Sequence, residues 1–224
     1  MKIIAYNISR YSQEKVNKIL AMGADVFILP EVACPKLVNL PEGYQMEWMG
    51  NNDWKGLGVI CKTKLKVSVP EWYNPKLEFM LPLIVNKILI MAAWPTRTDR
   101  NAPRDYPQIA MEALQYYEPC LRKYKTIISG DMNCYKGQTG ERYGYSIEAI
   151  VNYLQGLGLK SAYHEMTGES IGSETKGTYH HWFRENMTFF LDYTFTNIPL
   201  KSYSLMEWDR EISDHVGQVF EIDI

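Results

Sequence analysis

Thr126-Ile127-Ile128-Ser129-Gly130-Asp131-Met132-Asn133 is an apolar run that reaches a glycine and then presents a carboxylate and an amide. The β-branched residues read as a buried strand. A carboxylate delivered by such a strand is costly to ionise unless a cation or hydrogen-bond donors compensate. The same address recurs along the chain. Asn7 follows Ile3-Ile4-Ala5-Tyr6, and Glu31 follows Val26-Phe27-Ile28-Leu29-Pro30. Asp192 sits within Phe189-Phe190-Leu191-Asp192-Tyr193, and Ser213-Asp214-His215 opens the final apolar strand. Strand ends converging on one rim would gather oxygen ligands and one imidazole. That donor set suits Mg²⁺ or Mn²⁺ and not zinc, for which no Cys/His spacing is present.

Working outward, Lys2–Ile8 and Asp25–Leu29 read as strands around a helix carried by Val16, Ile19 and Leu20 and stopped by Gly23. Short strands follow at Tyr44–Trp48, Leu57–Cys61, Lys66–Val69 and Ile88–Trp94. Asp105-Tyr106-Pro107-Gln108 opens a helix carried by Ile109, Ala113 and Tyr117, which Pro119 ends or kinks. Ile147, Ile150, Val151 and Leu154 mark another helix, closed by Gly156 or Gly158. Thr188–Thr196 and Val216–Ile222 are the last strands. Strands outnumber about three helices that fall between them, which predicts a layered α/β protein. No linker or repeat divides residues 1–224, so one domain is expected.

Composition narrows the class. The 224 residues are 46% hydrophobic and 22% charged, ordinary globular values. Lys plus Arg number 24 and Asp plus Glu 26, a net charge of −2 that excludes a globally basic nucleic-acid binder but not a local basic groove. No apolar run approaches the roughly 20 residues needed to span a bilayer. The N-terminal apolar run is too short for a signal peptide. Cys34, Cys61, Cys120 and Cys134 lie far apart, so free thiols and a cytoplasmic location are expected. No obligate protein partner and no membrane association is evident.

Asn7, Glu31, Gly130-Asp131-Met132-Asn133, Asp192-Tyr193 and Ser213-Asp214-His215, in this order, resemble the endonuclease/exonuclease/phosphatase superfamily, with exonuclease III-like nucleases nearest in spacing. Gly43-Tyr44, Gly50 and Gly56-Leu57-Gly58-Val59 look like its early hairpin. The resemblance implies a four-layer α/β sandwich, two packed mixed sheets flanked by helices, with the active site at one rim. It implies a Mg²⁺- or Mn²⁺-dependent phosphoesterase, most simply a nuclease acting on DNA or RNA. Glu31 would bind the cation, with Asp214 contributing and Asn7 holding the metal or its water. Asp131 would orient or deprotonate the attacking water, and Asn133 would donate to the phosphate or nucleophile. His215, held by Asp192, would donate to a phosphoryl oxygen.

Departures bear on substrate. Ala93 or Trp94 stands where many relatives carry a His or Tyr that reaches the phosphate, and Pro30 replaces a common Gln. Ser9 stands where some abasic endonucleases have an acid or amide. Arg97, Arg100 and Arg104 lie in the loop after Pro95 and read either as a solvated loop or as phosphate contacts. Trp182, Phe189 and Leu191 read as core or, as the resemblance implies, as apolar side chains beside a base or an abasic sugar. The neighbours His180 and His181 point to opposite faces and do not read as a metal pair. Cys134 reads as a buried thiol. The alternatives are a phosphatase of a small-molecule or inositol-lipid phosphate ester, and a catalytically silent binding protein of the same fold.

Overall fold

The computed structural model describes residues 1–97, 104–138 and 144–223. In chain order the first elements are β1 (Lys2–Ala5), α1 (Gln13–Leu20), β2 (Val26–Val32), β3 (Tyr44–Asn52), β4 (Lys55–Lys62), β5 (Val67–Ser68), β6 (Met80–Val85) and β7 (Ile88–Ala93). There follow α2 (Tyr106–Tyr116), α3 (Glu118–Lys123), β8 (Thr126–Asp131), α4 (Ile147–Gly156), β9 (Lys160–Ser161) and α5 (Ala162–Thr167). The chain closes with β10 (Tyr179–His180), β11 (Thr188–Phe189), β12 (Asp192–Thr196), β13 (Leu200–Leu205) and β14 (Gln218–Ile222).

Two six-stranded mixed sheets result, ordered β13-β14-β1-β2-β4-β3 and β5-β6-β7-β8-β12-β9. Side-chain alternation explains the layering. Ile3, Ala5, Val26, Ile28, Leu57 and Val59 face the second sheet and share one core with Leu89, Met91 and Ile128. Their alternates Ile4, Tyr6, Phe27, Leu29 and Ile60 pack instead on Val16, Ile19 and Leu20 of α1. Residues of α2 and α4, among them Ala110, Leu114, Ile150 and Leu154, cover the outer face of the second sheet. The result is the four-layer α/β sandwich that the sequence implied. Serine caps fix where two helices begin, with Ser12 Oγ accepting from the Lys15 amide and Ser146 Oγ from the Ala149 amide.

Several elements differ from expectation. Among the described residues there are five α-helices, not three. Pro119 does not end a helix: α2 stops at Tyr116, and Pro119 lies in the first turn of α3, where its missing N–H has no intrahelical duty. Strand β6 was not anticipated because it contains Pro82. Its pairing explains the tolerance: β5 covers only Val85 and Ile84, so Pro82 lies on a stretch with one neighbour, Met91 of β7. Thr188–Thr196 is two strands, because the amides of Leu191 and Asp192 both donate to Thr178 Oγ1 instead of continuing a ladder. Strand β1 ends at Ala5, although the Tyr6 and Ile8 amides still donate to Ile28 and Pro30 of β2.

Candidate active site

Strand pairing carries the polar residues to one rim. Strands β8 and β12 are antiparallel neighbours in a register that sets Asp131 opposite Asp192 and Gly130 opposite Tyr193. Two buried carboxylates in that position would repel each other. His215 relieves the repulsion: its Nδ1–H donates to Asp192 Oδ2 at 2.8 Å, and its Nε2 lies 3.9 Å from Asp131 Oδ2. Asn7 completes the cluster from the other sheet, its side-chain amide donating to Asp131 Oδ2 at 2.9 Å. The Asn133 backbone amide donates to Asp131 Oδ1 at 2.8 Å. Asn133 itself has φ +51, a left-handed turn that asparagine tolerates better than most residues. Its side-chain amide donates to the Pro95 carbonyl, tying this turn to the end of β7.

The loops are fastened as firmly. Ser213 Oγ donates to the Asn7 carbonyl at 2.6 Å and accepts from the His215 amide at 3.0 Å. Thr178, whose hydroxyl caps the start of β12, also accepts the Val216 amide on its carbonyl. One residue thereby fixes both strands' approaches, its hydroxyl holding Asp192 and its backbone carbonyl the segment bearing His215. The sequence reading passed over Thr178, since nothing local distinguishes it.

Glu31 is presented differently from the strand end expected. It lies within β2 as the extra residue of a bulge between Pro30 and Val32, with φ +66. A bulge turns one side chain out of the alternating pattern, and Pro30 is tolerated beside it. Glu31 Oε2 stands 3.0 Å from Lys55 Nζ and accepts the Arg10 amide at 3.3 Å. Tyr179, another residue the sequence reading left aside, shows how the acids converge. Its phenol is pushed up first by burial and then by the charges of Asp214, Asp131 and Glu31. Its ring lies 4.8 Å from that of His215, and a β-bridge joins the two residues.

The electrostatics follow from burial and pairing. Burial pushes the Asp131 carboxyl up to about 7, against the opposing pull of His215. Burial alone would lower the His215 imidazole, but Asp192 and Asp131 outweigh it and raise the group to about 10. The two aspartates thus favour the cationic form of the imidazole, while burial makes the Asp131 carboxyl easier to protonate than an exposed one. Cys134 is buried and its thiol is pushed up by desolvation, in keeping with an inert role.

The remaining candidates separate. Arg104 forms ion pairs with Glu78 at 3.2 Å and Glu112 at 3.1 Å, which tie the segment before α2 to that before β6. Arg97 lies over the Tyr106 ring at 5.1 Å. Arg100 lies outside the described residues. Trp94 is buried edge-to-face against Phe79, a core position, with Lys55 Nζ 5.1 Å from its ring. Trp182 is 67% exposed and is no part of the core.

Asp131, Asp192 and His215 offer ligand atoms within 4.8 Å of one another. Those atoms are engaged with each other and with Asn7 and Asn133, as an acid–base cluster would be. Glu31, already beside one cation, and Asp214 and Asn7 are all oxygen donors, and that set fits Mg²⁺ or Mn²⁺.

No family model and no curated protein matches the chain. Solved structures do align with it. An AP endonuclease from Archaeoglobus fulgidus aligns over 100% of both chains with a TM-score of 0.72 and 15% identity. The 3′ phosphatase NExo from Neisseria, bound to product DNA hairpin, aligns over 100% of both chains with a TM-score of 0.67 and 14% identity. D. rerio TDP2, complexed with single-strand DNA product, aligns over 98% of this chain and 97% of its own with a TM-score of 0.64 and 15% identity. The chain thus has the exonuclease III-like fold found across the endonuclease/exonuclease/phosphatase superfamily.

Proposed function

We propose that residues 1–224 form one catalytic domain, a divalent-metal-dependent phosphodiester hydrolase that acts on nucleic acid. The buried Asp192–His215–Asp131 cluster carries this reading. A core-stabilising role would be better served by apolar residues, because buried ion pairs rarely repay their desolvation. Asp131, raised by burial and oriented by Asn7 and Asn133, accepts the proton of the attacking water. His215, kept charged by Asp192, donates to a phosphoryl oxygen and stabilises the charge that grows there. Glu31, Asp214 and Asn7 would hold Mg²⁺ or Mn²⁺. When bound, such an ion neutralises a phosphate oxygen and the leaving group.

Nucleic acid is favoured as substrate because two proteins of this fold are described as bound to DNA products. A phosphatase of a small phosphate ester is the second reading, favoured by the loss of Arg104 from the set of free cations. Purified protein should be incubated with Mn²⁺ or with EDTA against single-stranded, duplex and abasic oligonucleotides, a chromogenic phosphodiester and small phosphomonoesters. Mn²⁺-dependent cleavage of oligonucleotides, lost in Asp131→Asn, supports the nuclease. Cleavage of monoesters alone supports the phosphatase, and no cleavage of anything overturns both.

A further inference from the structure

A continuous aromatic strip leaves the catalytic histidine and runs across the surface in two directions. The Tyr179 ring, 4.8 Å from His215, stacks toward Phe189 at 6.5 Å, and Phe189 meets Tyr135 at 4.5 Å. Tyr179 also meets His181 edge-on at 5.7 Å; His181 lies 6.1 Å from Phe189, closing a triangle of rings, and stacks on Trp182 at 4.4 Å, so the strip runs from Tyr135 through this triangle to Trp182. The strip follows from local structure. Strands β10 and β11 form a two-stranded ribbon with Tyr179 opposite Phe189, and Thr178 fastens its base to Asp192. At its turn Trp182 and Phe183 have φ +54 and +57. Two bulky residues in the left-handed region cost about 1–3 kcal/mol each, and this cost is incurred to hold an indole out in solvent.

Each end of the strip carries positive charge. Lys136 and Lys176 line a hollow of about 190 Å³ together with Tyr135 and Phe189. Glu174 also borders it, but its carboxylate is engaged by His164 and the Gly172 amide. At the opposite end the Arg184 guanidinium lies 5.0 Å from the Trp182 ring. There Trp182, Arg10 and Asp214 border a second hollow of about 500 Å³. Aromatic faces interleaved with cations, beginning at a phosphoryl-transfer site, match a strand whose bases are unpaired. Each base has a π-face to stack, and each intervening phosphate needs a cation. A duplex hides its base faces and could use only the cations.

We infer that this chain takes unpaired single-stranded nucleic acid, seating bases on Tyr135 and Phe189 on one side of the scissile phosphate and on Trp182 on the other. The inference rests on the nucleic-acid reading above and adds the strandedness and the path of the substrate. It is tested without turnover, by measuring binding in EDTA of a 12-nucleotide oligo-dT, the corresponding duplex, and a base-free strand of the same phosphate number. Oligo-dT should bind at least about tenfold tighter than either comparison ligand. Trp182→Leu and Tyr135→Leu should each weaken it by about fivefold to a hundredfold, with affinity restored in Trp182→Phe and Tyr135→Phe. Trp182 lies outside the core, so its replacement leaves folding intact, which circular dichroism verifies. Equal binding of oligo-dT and the base-free strand, equal binding of the duplex, or Leu variants with unchanged affinity would each overturn the proposal. Failure of the hydrolase reading is distinguishable, because it would abolish Mn²⁺-dependent cleavage while selective oligo-dT binding in EDTA persisted.

Discussion

At the scale of single residues, His215 does two jobs that substitutions separate. It stabilises two facing aspartates, and the proposed mechanism has its outer nitrogen, 3.9 Å from Asp131, donate to a phosphoryl oxygen. His215→Ala should lower turnover of a chromogenic phosphodiester by at least about 10²-fold, the lower range for loss of one positioned donor. Asp192→Asn keeps the shape but removes the charge that raises the imidazole, so activity at alkaline pH should fall more than at pH 6. A His215→Ala enzyme as active as the parent would make the cluster purely structural. Glu31 is tested by titrating Mn²⁺ with a spectroscopic readout. Loss of a direct ligand in Glu31→Gln should weaken binding at least tenfold, since even indirect contacts around metals are worth about 10–100-fold. Unchanged Mn²⁺ affinity would remove Glu31 from the site. The acids, amides and histidine of this cluster were legible in sequence because each ends, interrupts or opens an apolar run. Tyr179, Thr178 and Lys55 were not: an aromatic, a hydroxyl and an exposed ammonium have ordinary structural uses everywhere, and only the fold brings them to the rim.

At the scale of elements, the close packing of β7 against β8 depends on one glycine. Gly130 has φ +142, and a Cβ there would collide with the Ala93 carbonyl oxygen of β7. Gly130→Ala should therefore cost roughly 2–4 kcal/mol in urea unfolding, combining backbone strain with displaced backbone. A second element-level anchor is Asp25, just before β2, which accepts from the Lys2 amide and pairs with Lys62 and Lys64. Burial alone would raise its carboxyl, but these partners draw it down to about 2. A depressed carboxylate stabilises the fold above its unfolded pKa near 4, and the effect disappears as pH falls through about 2. Asp25→Asn should thus cost about 1 kcal/mol at pH 7, allowing for screening of a partly exposed group. The gap from the parent should narrow steadily in unfolding series below pH 4; a constant gap would contradict the linkage. The same scale shows where sequence reading fails. Continuous apolar runs revealed β2, β7 and β8, whereas β6 was hidden by Pro82 and the Glu31 bulge by a strand that reads as ending at Leu29. Both depend on which neighbours pair, which no local window contains.

At the scale of the whole molecule, the layered α/β class was readable because strands and helices alternate and strands outnumber helices. Which sheet each strand joins was not, since that depends on partners far apart in sequence. Net charge poses the remaining question at this scale. A chain of net charge −2 repels a polyanion at long range, so any attraction must come from local cations. Arg104 is engaged by two glutamates, which leaves Lys136, Lys176, Arg184 and Arg10 as the cations along the aromatic strip. Lys136 stands only 3.7 Å from Glu148, but its side chain is 54% exposed, so that pair is weak and readily exchanged for a phosphate. Single strands release counterions with a log–log slope of about −0.7 per phosphate contacted. Four contacts predict a slope of about −2.8, which means that raising salt from about 50 to 200 mM weakens oligo-dT binding roughly 50-fold. The double variant Lys136→Gln/Lys176→Gln should reduce the slope by about 1.4. Arg104→Ala should lower stability while leaving the slope unchanged, because its charge is already spent on Glu78 and Glu112. A slope near −5 would mean that the strand follows a more basic path than this strip, and a slope that Lys136 and Lys176 do not alter would exclude them from it.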